Sequence, residues 1–173
     1  MLDEADLVCS ADEVDEAIRR VGAEISDVLS DSYPLVLAVM GGAVVFAGRL
    51  LPLLRFPLAF DFIHVTRYGA STAGAEVDWR VAPQETVKDR AVLVLDDILD
   101  RGETMAAIRD RIITLGAKSF HCAVLTEKVL PDPKPIKPDF VGLNVPDRFV
   151  FGCGMDARGH WRNLPEIYAL KGG

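Results

Sequence analysis

Long apolar runs are missing from this sequence. None approaches the roughly 20 residues of a membrane-spanning helix, so no membrane partner is expected. An excess of basic residues is missing too. The formal net charge is −7, and so acidic a chain lacks the electropositive surface of a general nucleic-acid or anionic-membrane binder. A local basic pocket for a phosphorylated ligand is still compatible with that balance. Cysteine is scarce: Cys9, Cys122 and Cys153 are odd in number, far apart and match no metal spacing, which fits reduced thiols in a cytosolic protein. Cys153, between two glycines, is the one expected to reach solvent. The N-terminal MLDEADLVCS has no apolar h-region, so it does not read as a signal peptide, and a cytoplasmic location is expected. GxxxxGK[ST] occurs nowhere, which leaves a P-loop nucleotidase without its phosphate loop. Repeats and low-complexity stretches are absent.

The 173 residues suit one domain, and at that length a single core can bury enough apolar surface to fold. Ser10 followed three residues later by Glu13 has the capping-box spacing, and Val14, Ala17, Ile18, Val21 and Ile25 then recur at helical spacing. Leu35–Met40 is an apolar run of strand length, followed by Gly41-Gly42 and a helix over 43–54. Further extended runs cover 59–66, 91–95 and 120–125, with a helix over 104–115 ending at Gly116, a suitable residue for a helix C-terminus. Apolar strands alternating with helices predict a parallel sheet covered on both faces, an α/β fold with ligands at the carboxyl ends of its strands. The pattern breaks between Tyr68 and Pro83, a Gly-, Ala-, Ser- and Thr-rich stretch that reads either as a lid or as a solvent-facing hairpin. Pro131–Pro138 (PDPKPIKP) reads as a stiff connector. The tail beyond it has too few apolar positions for its own core and is expected to fold back onto the main sheet.

One segment carries chemistry. In AVLVLDDILDRGET, residues 91–104, a buried strand leads into Asp96-Asp97, then a short turn carries Asp100-Arg101-Gly102-Glu103-Thr104 into a helix. Free N–H groups at a helix start bind anions, Gly102 allows close backbone approach, and Thr104 adds a hydroxyl. Ionised carboxylates only accept hydrogen bonds, so the acidic pair suits ribose hydroxyls or a Mg²⁺ that bridges hydroxyls and pyrophosphate oxygens. The alternative is a capped strand-to-helix turn with a solvated acidic face. Three carboxylates within five residues weigh against it, because such a cluster is unfavourable without a cation or polyol.

The segment resembles the phosphoribosyl-pyrophosphate motif of type I phosphoribosyltransferases. The C-terminal KPDFVGLNVPDRFVFGCGMD and WRNLPEIYAL are similar to the hypoxanthine-guanine phosphoribosyltransferase family. The resemblance spans about Pro34 to Leu170. It implies a core over about 34–145 and a small hood built from the N-terminal segment and about 146–173. It also implies purine salvage: transfer of a phosphoribosyl group from phosphoribosyl pyrophosphate to a purine base, with Mg²⁺ as cofactor and a nucleoside monophosphate as product. The family tends to homodimers and homotetramers.

By the same resemblance, Asp100 is the acid or base near purine N7. Asp96 and Asp97 hold the ribose hydroxyls, partly through Mg²⁺, and Asp156 is a further metal-binding carboxylate. Arg101, Gly102, Glu103 and Thr104 cradle the 5′-phosphate. Gly41 and Gly42 bind pyrophosphate through backbone N–H groups in a loop that can hold a cis peptide. Tyr68 opens the mobile loop. Lys128 donates to the purine 6-oxygen, Phe149 stacks on the ring, and the Val150 backbone reads the base edge. Arg162 meets pyrophosphate, and Arg148 lies beside base and pyrophosphate. Three positions depart from the pattern. Met40 stands where many members have lysine, Arg101 replaces a common threonine, and Arg67 replaces a common serine and would supply charge that Met40 does not. Glu103 is expected to point outward, away from phosphate. Two other functions compete: a non-catalytic sensor of the diphosphate or a nucleotide, and a transferase for another base such as a pyrimidine. The acidic chain and the C-terminal segment weigh against them respectively.

Overall fold

The computed structural model describes residues 2–67 and 77–171. Six strands form the main sheet: β2 (Leu35–Met40), β3 (Ala59–Arg67), β4 (Val77–Val81), β5 (Ala91–Leu99), β6 (Ser119–Lys128) and β7 (Phe140–Val145), in the spatial order β4-β3-β2-β5-β6-β7. All neighbours are parallel except β4, which runs antiparallel to β3. Side chains alternate between the two faces, and the sequence satisfies both. Val36, Ala38, Leu93, Leu95, Ala123 and Leu125 join one core cluster; Leu35, Leu37, Val39, Val92, Val94 and Val124 join the other. Burial on both faces explains the unbroken apolar runs.

Among the described residues, three α-helices cover the sheet. In α1 (Ala11–Leu29), Ser10 Oγ accepts from the Glu13 N–H at 3.3 Å while the Ser10 N–H donates to Glu13 Oε2 at 2.8 Å, the expected capping box. Its buried stripe shares the first cluster with Phe46 and Leu50 of α2 (Ala43–Leu50). The helix expected over 43–54 is thus shorter, passing at Pro52 into a 3₁₀ turn, Leu51–Leu53. α3 (Glu103–Thr114) covers the opposite face through Met105, Ile108 and Ile112. It closes before Gly116, whose φ of +87° is left-handed.

The tail does not pair with the main sheet. The antiparallel β8 (Val150–Phe151) and β9 (Ile167–Leu170) take β1 (Ala5–Cys9) as third partner, giving a separate sheet ordered β1-β9-β8. It packs back through side chains: Val150, Cys153, Met155, Ile167 and Ala169 belong to the core cluster of α1 and α2. Cys153 is therefore fully buried, against expectation, and burial pushes its thiol up to about 11. Residues 68–76 of the Tyr68–Pro83 stretch lie outside the described residues. Val77–Val81, in the same stretch, is an edge strand antiparallel to β3, in keeping with the hairpin alternative, and its Val77 and Trp79 pack on the second cluster.

Candidate active site

Parallel pairing brings the carboxyl ends of β2, β5 and β6 to one edge. β5 runs further than the apolar run alone predicts. Its ladder with β6 continues through Asp96↔Val124 and Ile98↔Thr126 to Leu99↔Glu127. The acidic pair therefore sits inside the strand rather than after it. Lys128 is the last residue of β6.

Asp97 is 9% exposed, and its N–H donates to Asp96 Oδ1 at 2.9 Å. Thr126, fully buried on β6, donates its hydroxyl to the Asp97 carbonyl at 2.9 Å and fixes this part of the strand. Burial, then the negative charge of Asp97, raises the Asp96 carboxyl well above its ordinary value. Burial raises Asp97 as well, against hydrogen bonds to Asp96 and backbone and the Arg162 charge, which lower it. Two carboxylates held this way favour a proton, a cation or hydroxyl donors beside them.

The glycines stack beneath the acids. The Met40–Gly41 peptide is cis. A Cβ at Gly42 would overlap the Asp97 carboxylate, and one at Gly154 would overlap the Gly42 carbonyl. The turn after β2 thus meets the backbone of the tail at Gly154 on one side and the Asp97 side chain on the other. Gly154 is a contact missing from the sequence reading, although the GCG around Cys153 signals it. Arg162 Nη1 donates to the Gly154 carbonyl at 2.5 Å, and Arg162 Nη2 lies 2.6 Å from Asp156 Oδ1. The other Asp156 oxygen accepts from the Gly159 N–H at 2.7 Å. Among the described residues no three His, Cys, Asp or Glu side chains converge into a ready-made metal site.

Gly102 has φ +81°, the left-handed region, immediately before α3. A cavity of about 240 Å³ at this helix start is lined by Asp96, Asp97, Asp100, Gly102 and Thr104, among others. Arg101 and Glu103 are both on the exposed side of the turn. Across from it, Lys128 Nζ donates to Asp100 Oδ2 at 3.4 Å and lies 3.8 Å from Asp147 Oδ1, with only 14% of its side chain exposed. Asp147 was not singled out from the sequence. Phe149, 46% exposed, leaves its ring open to solvent, whereas Val150 is buried in β8 and pairs with Ala169. Arg148 turns elsewhere: its guanidinium donates to Asp6 Oδ2 at 2.7 Å and the Leu170 carbonyl at 2.9 Å, tying the turn before β8 to β1 and β9. Tyr68 lies outside the described residues, and nothing is described of the Arg67 side chain.

An α/β sheet with paired acids near the carboxyl end of a central strand and a glycine-led helix start beside them has the construction of a sugar-phosphate-binding site. The chain belongs to the phosphoribosyltransferase family: the phosphoribosyl transferase domain model matches residues 10–158. Within that family its relatives include hypoxanthine-guanine phosphoribosyltransferases. That of Bacillus subtilis is 34% identical over 166 residues, covering 95% of this chain and 92% of the relative. That of Streptococcus pneumoniae is 30% identical with the same coverage. A solved hypoxanthine-guanine-xanthine phosphoribosyltransferase superposes with a TM-score of 0.82 at 29% identity, covering 98% of this chain and 97% of its own. A hypoxanthine-guanine phosphoribosyltransferase from Bacillus anthracis gives 0.87 at 26% identity, covering 95% of each.

Proposed function

We propose that the protein is a purine-salvage enzyme. It transfers the 5-phosphoribosyl group from phosphoribosyl pyrophosphate to hypoxanthine or guanine, releasing pyrophosphate and a nucleoside monophosphate. The observation that carries this reading is the adjacency of two half-sites on one sheet edge. The Asp96–Thr104 cavity would take ribose and 5′-phosphate, and the Asp100–Lys128 pair beside it would meet the base, on which the solvent-exposed Phe149 ring is proposed to stack.

In this reading the C1–oxygen bond to pyrophosphate breaks and a bond from C1 to the base nitrogen forms. Asp100 takes the proton that the base gives up near N7, general base catalysis of the kind worth about 10²–10⁴ in rate. Lys128 donates to the 6-oxygen, and Phe149 stacks on the ring. The backbone at Gly102 and the hydroxyl of Thr104 hold the phosphate. Asp96 and Asp97 accept from the ribose hydroxyls. Gly41, Gly42 and Arg162 face the leaving pyrophosphate.

Mg²⁺ fits the acidic pair. Both carboxyls are raised by burial and Asp96 also by its neighbour's charge, a strain that a divalent cation relieves. Protein alone supplies few ligands, in keeping with an ion that keeps waters and binds substrate oxygens. When bound it would neutralise charge developing on pyrophosphate. Asp156 is engaged by Arg162 and Gly159, so Asp96 and Asp97 are the residues proposed to hold the ion.

The test is a base panel. The protein is incubated with the diphosphate, Mg²⁺ and each of hypoxanthine, guanine, xanthine, adenine and a pyrimidine, and nucleotide is followed by absorbance and chromatography. Turnover with the first two supports the reading. Failure with hypoxanthine, guanine and xanthine overturns it, and turnover only with a pyrimidine reassigns the base.

A further inference from the structure

Lys134 lies in the proline-rich connector, between Pro133 and Pro135, and has no part in the roles assigned above. Its side chain is 11% exposed, an unusual place for a lysine without partners. Its ammonium donates to the Lys128 carbonyl at 2.6 Å, to Glu127 Oε1 at 3.0 Å and to the Leu99 carbonyl at 3.3 Å. An ammonium has three N–H donors, so the three acceptors fill it.

Two of those acceptors are main-chain carbonyls at the carboxyl ends of adjacent strands. The last register pair between β5 and β6 is Leu99 with Glu127. Lys134 joins the strands at that pair and one residue past it, where the ladder has ended. Leu99 immediately precedes Asp100, and the second carbonyl is that of Lys128 itself. The two side chains assigned to the base therefore leave the sheet at the two points that one ammonium ties together. Hydrogen bonds from a charged donor are roughly twice as strong as neutral ones, and prolines on both sides fix φ in the connector that carries it. The same connector supports the phosphate turn. A Cβ at Gly102 would meet Ile136 Cγ2 at 3.2 Å, Lys134 Cβ at 3.5 Å and Pro135 Cδ at 3.6 Å.

We infer that Lys134 is a positioning residue: its ammonium clamps the strand ends of Leu99 and Lys128 and so sets the spacing of Asp100 and Lys128 around the base. The inference rests on the transfer reaction proposed above.

Steady-state kinetics on the full chain test it, with the wild type measured first. Lys134→Met keeps the aliphatic packing under Gly102 and removes all three donors. It is expected to lower kcat/KM for the base at least fivefold while KM for phosphoribosyl pyrophosphate stays within twofold. Lys134→Arg, which restores charged donors, is expected to recover most of the loss. Glu127→Gln, which keeps an acceptor and leaves both carbonyls clamped, is expected to stay within twofold of wild type. Melting curves accompany each variant, and Lys134→Gln replaces the methionine variant, with the same expectation, if that one does not fold. An unchanged kcat/KM for the base, or KM values for base and diphosphate raised alike, overturns the positioning role and leaves the reaction standing. A wild type that turns over no base overturns the reaction, and this role with it.

Discussion

Lys128 Nζ stands 3.4 Å from Asp100 Oδ2, although one residue ends β6, the other directly follows β5, and they are 28 positions apart. Parallel pairing of β5 with β6 creates this juxtaposition, and it divides the labour of the site. Asp100→Asn keeps the size of the side chain and removes its basicity. It is expected to reduce kcat about 100-fold or more, the lower range for loss of a general base, while binding of the diphosphate changes less than threefold. Calorimetric titration with the diphosphate alongside kcat measurements checks this; equal losses in both would argue for a binding role only.

Phe149 and Phe151 are two residues apart, yet one is 46% exposed and the other fully buried and stacked on Tyr168 with ring centroids 5.8 Å apart. Their alanine variants should separate cleanly. Phe149→Ala is expected to raise KM for the base by roughly 5- to 150-fold, the equivalent of about 1–3 kcal/mol of base–aromatic stacking, with an unchanged melting temperature. Phe151→Ala is expected to lower stability by about 3–5 kcal/mol, as for other buried phenylalanines. Kinetics and thermal melts of the pair check both; a Phe149 variant that is only less stable would place its ring in the fold instead of the site.

Gly42 has no room for a methyl group, because a Cβ there meets the Asp97 carboxylate. Gly42→Ala is expected to displace that carboxylate and cut kcat at least tenfold. The overpacking itself should lower stability by about 1–3 kcal/mol. Gly41→Ala has open space at its Cβ and is expected to affect stability much less. Circular-dichroism melts and initial rates of the two variants make the comparison.

The acidic pair makes a prediction about pH. Asp96 and Asp97 are both raised above the ordinary 3.8 in the folded chain. The folded state thus binds protons more tightly than the unfolded one, and the stability this confers is present below the unfolded value and lost as pH rises through the folded values. Without ligands, Asp96→Asn is expected to melt at least about 2 °C above wild type near pH 8, with the advantage shrinking as the pH falls towards about 4. Mg²⁺ with the diphosphate should stabilise the wild type near pH 8 and the variant much less. Scanning calorimetry across that range checks the sign; a variant less stable than wild type at high pH contradicts it.

Much of this architecture is legible in the chain itself. The runs at 35–40, 91–95 and 120–125 are unbroken because both faces of their strands are buried, and Ser10 with Glu13 sets the start of α1 by a purely local bond. Strand ends are harder to read. Asp96, Asp97 and Lys128 break the apolar pattern but continue the ladder, since strand pairing is a backbone property. β4 agrees with the hairpin alternative for 68–83, which the pattern left undecided because an edge strand buries Val77 and Trp79 only partially, and Cys153 is missed because its burial depends on a tail that packs from a distance. Arg148 and Lys134 show the same limit for the site. Each is a lone cation in sequence, and only tertiary partners distinguish the one tied to Asp6 and Leu170 from the one between two strand ends.

The most direct measurement is the stoichiometry of the reaction itself: wild-type protein, Mg²⁺, phosphoribosyl pyrophosphate and hypoxanthine or guanine, with nucleotide and pyrophosphate quantified from the same samples. One pyrophosphate for each nucleoside monophosphate formed, with neither appearing when the base is omitted, is the predicted result. Pyrophosphate released without nucleotide, or binding of the diphosphate with no turnover on either base, would contradict the account.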